Sequence, residues 1–227
     1  MATTRSPFTE ITEREHALAS ADLKTVGWKP ALSASQARQD ALAGLIASTV
    51  SSSIACKEGC WYCCYLRVEV RAEEVFQIVG VVRTKFRPAQ QQRLQVQAAE
   101  NAKTLQGLSR EQQLTANLKC PLLEDGKCSV YAMRPARCRT LHAKDAAGCK
   151  KGWEEPDNLS IPHTLVPELL YAAEAHLQGS RQAFVEAGFD SRVYELNAAL
   201  AMALKDSTAK RRYEKHKRAF VELPCKA

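Results

Sequence analysis

Residues 56–64 read Cys56-Lys57-Glu58-Gly59-Cys60-Trp61-Tyr62-Cys63-Cys64. Four cysteines in nine residues are too dense for a regular helix or strand, so a loop or tight turn about Gly59 is expected. Spacings of two or three residues let two sulfurs converge on one ion with little closure entropy to overcome. Downstream stand Cys120, Cys128, Cys138 and Cys149, which complete a second set of four. Zinc sites and iron–sulfur clusters both take four thiolates. Adjacent side chains diverge, however, so Cys63 and Cys64 rarely serve one ion together. The two sequence sets are therefore expected to mix in space. A ninth cysteine, Cys225, lies two residues from the C-terminus and is set apart from the site.

The flanks of this stretch read as helix. Ala37, Ala41, Leu45 and Ile46 fall at helical spacing within 34–54, with Ser33 or Ser35 as cap. Leu66 to Val70 alternates as a short strand. Glu73 and Glu74 open a helix that runs to about Arg87, where Pro88 breaks it. Residues 89–106 predict a mostly exposed helix with Leu94, Ala98 and Leu105 as its apolar stripe. Cys120 to Val130 predicts a hairpin turning at Asp125-Gly126. A helical turn interrupted by Pro135 is expected over 131–139, and a short helix or loop over 143–150. Helices at 163–178, 180–187 and 191–205 follow, the last carrying Val193, Leu196, Leu200 and Leu204 on one face.

The expected fold is mainly α. It is a single helical domain over 31–205, with a small strand or hairpin element and a cysteine-rich loop centre at 56–149. A loosely structured lead over 1–30, helical near Thr12 to Leu23, precedes it. A basic tail over 206–227 follows.

The 227 residues, 45% hydrophobic and 25% charged, have the composition of an ordinary soluble protein with a real core. No apolar run reaches signal-peptide or membrane-span length, so the cytoplasm is the expected compartment and no membrane partner is expected. Thiols there are kept reduced, which favours metal binding over disulfides. The net charge of +7 is concentrated in the tail. Lys205 to Ala227 holds eight Lys or Arg and three Asp or Glu, a local +5. A solvated terminal helix is the plain reading, and binding of nucleic acid or an acidic protein surface is the functional one. Only Tyr213 and Phe220 are aromatic there, which gives little support to stacking on bases.

Three motifs carry a resemblance: CKEGCWYCC at 56–64, CPLLEDGKCSVY at 120–131 and RPARCR at 134–139. Together they resemble the YkgJ family of cysteine-cluster proteins, also described as a zinc- or iron-chelating domain. The resemblance covers about residues 50–150. It implies that Cys56, Cys60, Cys63, Cys64, Cys120, Cys128, Cys138 and Cys149 chelate zinc or iron, the latter including an iron–sulfur cluster. Flagellin lysine methylases carry a similar pattern, so a cluster-dependent protein lysine methyltransferase is an alternative. A zinc-stabilised interaction module using the basic tail is another. The chain shows no glycine-rich methyl-donor loop, phosphate loop, dinucleotide fingerprint or Ser/His/Asp order. Enzymatic activity is thus left open.

Four further features bear on the centre. Trp61 and Tyr62 stand where the family usually has a small residue before the cysteine pair, and shielding of the thiolates from water is the expected consequence. Arg134, Arg137 and Arg139 surround Cys138 and would offset thiolate charge, form ordinary salt bridges or bind an acidic substrate or partner. His142, four residues after Cys138, is an alternative ligand; His16, His163, His176 and His216 have no ligand spacing. Glu69, Glu73 and Glu74 could supply a general base, but helix-terminal and strand-surface positions explain them better.

Overall fold

Ser6 opens the first helix: its hydroxyl accepts from the Thr9 amide at 3.2 Å, and Pro7 follows with its φ already helical. Helix α1 (Pro7–Val26) ends at Gly27, whose φ of 79° admits the reversal into α2 (Trp28–Thr49). A 3-10 turn (Tyr62–Tyr65), strand β1 (Glu69–Val70), α3 (Ala72–Lys85), α4 (Pro88–Gln106) and α5 (Arg110–Thr115) come next. Strands β2 (Leu123–Glu124) and β3 (Lys127–Cys128) form the hairpin, followed by a 3-10 turn (Tyr131–Met133), α6 (Ala136–Thr140) and α7 (Ala146–Glu154). The chain closes with α8 (Pro167–Glu186), β4 (Tyr194–Glu195), α9 (Leu196–Lys205) and α10 (Ala209–Glu214). This computed structural model describes residues 5–50, 54–162 and 164–224, and over them the fold is mainly α, as expected. Cys225 and His163 lie outside the described residues.

Two helical groups share the molecule. In one, α1, α2 and α8 pack together. Helices α1 and α8 meet closely at Gly179, where a Cβ would stand 2.2 Å from the Thr12 carbonyl oxygen. The interface is polar as well as apolar. Arg38 grips the buried Glu15 through two nitrogens, at 2.6 and 2.9 Å, and reaches Asp22 at 2.8 Å. The ring of His176 contacts the Ser35 carbonyl at 2.9 Å. In the other group, α3, α4 and α9 enclose the apolar core, with Val75, Ile78 and Val82 facing Leu196 and Leu200. Strand β1 pairs with β4 in antiparallel register, Val70 opposite Tyr194. That pairing sets the segment after the first cysteine block beside the start of α9.

Several expectations change. The lead expected to be loose is the long helix α1, because Thr12, Glu15 and Ala19 are buried against the rest of the molecule. Helix α2 starts earlier than expected and presents a different face. Leu45 is 65% exposed, whereas Ser35, Gln36 and Gln39 are buried, since polar contacts such as Ser35 to Ser180 at 2.9 Å seat the helix. The helices expected at 163–178 and 180–187 are one, α8. Gly179 does not break it; the missing side chain lets α1 approach. The helix expected over 191–205 begins at Leu196, because Tyr194 and Glu195 pair with β1. The tail is more than a solvated helix. Tyr213, Ala219 and Phe220 are fully buried, and helix α10 ends at Glu214.

Candidate metal centre

Backbone hydrogen bonds gather the cysteine segments from four places in the chain. The amide of Cys60 donates to the Lys57 carbonyl at 3.0 Å, closing a turn in which Gly59 has φ 90°. The 3-10 turn that follows carries Cys63 and Cys64. The Cys120 amide donates to the Cys64 carbonyl at 2.8 Å, and the Leu118 amide to the Tyr65 carbonyl at 3.2 Å. In the hairpin, Leu123 pairs with Cys128. Asp125 and Gly126 both have positive φ, 47° and 73°, as a type I′ turn demands. Helix α6 carries Cys138, and its start is fixed by the Glu74 carboxylate, which accepts from the Ala136 amide at 2.7 Å. Asp145 caps α7 by accepting from Ala147 and Gly148, so that Cys149 lies in its first turn. Cys56 sits against the 141–143 segment, where its sulfur accepts from the Ala143 amide at 3.2 Å.

The thiols form two groups by electrostatic reach. Cys149 is pushed up to about 11 by burial and then by Cys56, Cys60 and Cys63. Burial raises Cys56 too, against the Ala143 amide, and Cys60 and Cys63 add to it. Cys120 is pushed up to about 12, chiefly by burial, with Cys128 and Cys63 among the further causes. Cys138 is raised well above its ordinary value by burial, then by Cys120, Cys63 and Cys128. Burial likewise raises Cys128, against the opposing influence of Arg134 and Arg139. Cys56, Cys60 and Cys149 thus neighbour one another, as do Cys120, Cys128 and Cys138, and Cys63 faces both groups. Cys63 is itself raised, first by a hydrogen bond with Cys64 and then by burial. Cys63 and Cys138 are nonetheless exposed, and both line a cavity.

The expected mixing of the two sequence blocks is visible here. Cys149 belongs to the second block in sequence and to the first in space. All eight described cysteines are free thiols. Among the described residues, no three Cys, His, Asp or Glu side chains stand at metal-holding geometry as they are. The donor set is nonetheless chemically suited to zinc or iron: it is soft and thiol-rich. Thiols with raised pKa keep their protons at neutral pH, and a metal must displace them to bind.

Aromatic side chains hold α7 to the cysteine turn. Trp153 packs edge-on to Trp61 with ring centres 4.9 Å apart, and lies 5.7 Å from Tyr65 and 6.3 Å from Tyr62. Trp61 also lies against the hairpin turn, 3.4 Å from where a Cβ on Gly126 would be. Trp61 and Tyr62 are both partly buried, while Cys63 beside them is exposed.

The arginines divide. Arg139 is buried; it pairs with Asp40 and donates to the Arg134 carbonyl at 2.9 Å. Arg134 lies 3.2 Å from Asp40 and stacks over Tyr131 at 4.1 Å. Arg137 pairs with Glu174. All three make ordinary ion pairs, and Arg134 and Arg139 also act on Cys128. His142 has a buried Nδ1 with no hydrogen-bond partner among the described residues. Burial lowers its pKa, which favours the neutral ring that can bind metal. Glu73 and Glu74 prove to be buried structural carboxylates. Glu73 meets Arg71 at 3.2 Å and Tyr213 at 3.2 Å, and burial raises its pKa. His16 pairs with Glu186 and His176 contacts Glu15, in keeping with packing roles.

A helical scaffold that gathers cysteines from four segments defines a cysteine-cluster protein. Residues 55–158 match the family model CxxCxxCC, whose description reads "Putative zinc- or iron-chelating domain", so this segment is similar to that cysteine-cluster family. All eight described cysteines fall within the matched span. No curated protein and no solved structure matches the chain. No helix among the described residues is long and apolar enough to cross a membrane.

Proposed function

We propose that this protein chelates zinc or iron through Cys56, Cys60, Cys63, Cys64, Cys120, Cys128, Cys138 and Cys149. The observation that carries this reading is the position of Cys63. Its thiol is an electrostatic neighbour of Cys56 and Cys149 on one side and of Cys120, Cys128 and Cys138 on the other. Cys56, Cys60, Cys149 and Cys63 make one set of four donors. Cys120, Cys128 and Cys138 make a second set around the same Cys63 or its neighbour Cys64. Rotation about χ1 between staggered wells is the motion that would draw these sulfurs together. His142, which lies in sequence between the Leu141 carbonyl and the Ala143 amide that Cys56 contacts, is the reserve donor. A reducing compartment such as the cytoplasm suits eight free thiols.

Zinc and an iron–sulfur cluster both suit soft thiolates, so the test must separate them. The full chain is purified without oxygen, then assayed for metal and acid-labile sulfide and examined by visible absorption. Zinc without colour assigns a zinc site, and iron with sulfide assigns a cluster. Background levels of both, persisting after reconstitution, would overturn the proposal. Cys225→Ser is the control and should keep the wild-type metal content.

A further inference from the structure

A cavity of about 550 Å³ opens between the loop after the cysteine turn, helix α5 and helix α6. Cys63 and Cys138 stand in its wall. Its apolar surface includes Leu66, Leu114 and Leu141, which are 50%, 69% and 41% exposed. Three arginines line it, Arg67, Arg110 and Arg137, against one acidic residue, Glu69. Arg137 is engaged by Glu174, and one nitrogen of Arg67 by Glu69 at 3.0 Å. The Arg67 Nε is buried with no partner among the described residues. Among the described residues no hydrogen bond or salt bridge engages the guanidinium of Arg110, in the first turn of α5, although its charge acts on the neighbouring Glu111 carboxylate. The cations that act on the Cys128 thiol are Arg134 and Arg139, and neither lines this cavity. The surplus positive charge is therefore not accounted for by those thiol-directed arginines.

We propose that this cavity binds a small organic anion, a carboxylate or phosphate monoester with an apolar body. The anionic group sits on Arg110 and Arg67, and the apolar body lies along Leu66, Leu114 and Leu141, beside Cys63 and Cys138. Guanidinium groups present planar forks that match carboxylate and phosphate oxygens. The volume falls in the range of roughly 300–1,000 Å³ typical of small-molecule sites. Occupancy depends on the cavity and its arginines, with no metal required, so the proposal stands apart from the chelation reading.

The test is calorimetric titration of the full chain, as purified, with octanoate, octyl phosphate, 1-octanol and octylammonium. Both anions should bind at least about tenfold more tightly than the alcohol and the cation, and the tighter of the two identifies the preferred headgroup. Arg110→Gln should weaken anion binding roughly fivefold, as expected for a lost charge-assisted contact. Leu114→Gln should weaken it as well. Lys103→Gln, on exposed α4 surface, should bind as wild type does. Circular dichroism and metal content of the variants separate a lost contact from a lost fold or a lost metal. The proposal is overturned if octylammonium binds as well as octanoate, if neither anion binds, or if Arg110→Gln and Leu114→Gln bind like Lys103→Gln.

Discussion

The Cys64 carbonyl oxygen accepts a hydrogen bond from the Cys120 amide at 2.8 Å, across 55 intervening residues. This one bond joins the two cysteine blocks through their backbones and uses neither side chain. It also explains how a 3-10 turn and a hairpin, distant in sequence, come to share one centre.

Because the link is made by backbone, serine at position 64 keeps it. Cys64→Ser should fold with a stability change below about 1 kcal/mol, as for most mild substitutions at partly exposed sites. Under the chelation proposal, Cys63→Ser should lose more bound metal than Cys64→Ser, since the Cys63 thiol acts on members of both groups. Metal per chain, measured side by side, checks the order. Equal losses would show that the two thiols contribute alike.

Trp153 anchors α7 against Trp61 and Tyr65, and α7 carries Cys149. Trp153→Ala should loosen that helix and expose the thiol. In metal-free protein, alkylation of Cys149 by iodoacetamide should speed up several-fold while Cys120 stays slow. Peptide mass spectrometry over a time course reads both. Unchanged labelling of Cys149 would show that the aromatic cluster does not hold it.

Helices α1 and α8 touch backbone to backbone at Gly179. A methyl group there meets the Thr12 carbonyl oxygen and the His16 amide, at 2.2 and 3.0 Å. Gly179→Ala should destabilise the fold by roughly 1–3 kcal/mol through overpacking or helix separation. Gly44, in α2, has nothing within 4 Å of a built Cβ. Gly44→Ala should stabilise by about 0.5–1 kcal/mol from helix propensity alone. Urea unfolding of the two variants should shift in opposite directions.

Asp190 ties the tail to the core. Its Oδ2 accepts from the Tyr194 hydroxyl at 2.7 Å and the Ala219 amide at 2.8 Å, and Arg192 lies 3.0 Å from Oδ1. Burial works to raise its pKa, but these donors together hold it below the ordinary 3.8. A carboxylate depressed in the folded state contributes stability that is fully present above the unfolded value. The contribution fades as pH falls from about 4 through the depressed pKa. Asp190→Asn should therefore be weaker than wild type at pH 7 and lose less stability between pH 4 and 2. Parallel acid limbs in the two proteins would contradict this.

Phe220 is fully buried against Phe76 and Tyr194, with ring centres 5.4 and 5.0 Å away. Phe220→Ala should cost about 3–5 kcal/mol. Removing residues 206–227 should unfold much of the domain, because Tyr213 leaves with them. Any nucleic-acid binding by the tail is therefore better tested by charge-neutralising substitutions at its exposed Lys and Arg, read as a reduced salt dependence. Wild-type thermal stability in Phe220→Ala would refute the anchoring role.

The sequence by itself settled what local rules govern. Asp125-Gly126 specified a type I′ hairpin because both turn positions need positive φ. Pro88 ended one helix and opened the next because its ring fixes φ and its nitrogen has no hydrogen to donate. Leu94, Ala98 and Leu105 marked the buried stripe of α4 by their period. The density of cysteines named the candidate donors. Tertiary structure decided what depends on partners far along the chain. It buried Ser35, Gln36 and Gln39 in place of Leu45; Ser35 meets Ser180 and His176 on α8 and Gln39 meets the Ala136 carbonyl, partners that no periodicity records. It kept Gly179 inside a helix to admit α1, and drew the charged tail into the core through Tyr213 and Phe220. It also moved Cys149 beside Cys56 and Cys60 and set Cys63 between two thiol groups. Residue spacing determines which sulfurs can converge locally, but backbone pairing such as Cys64 with Cys120 decides which ones meet.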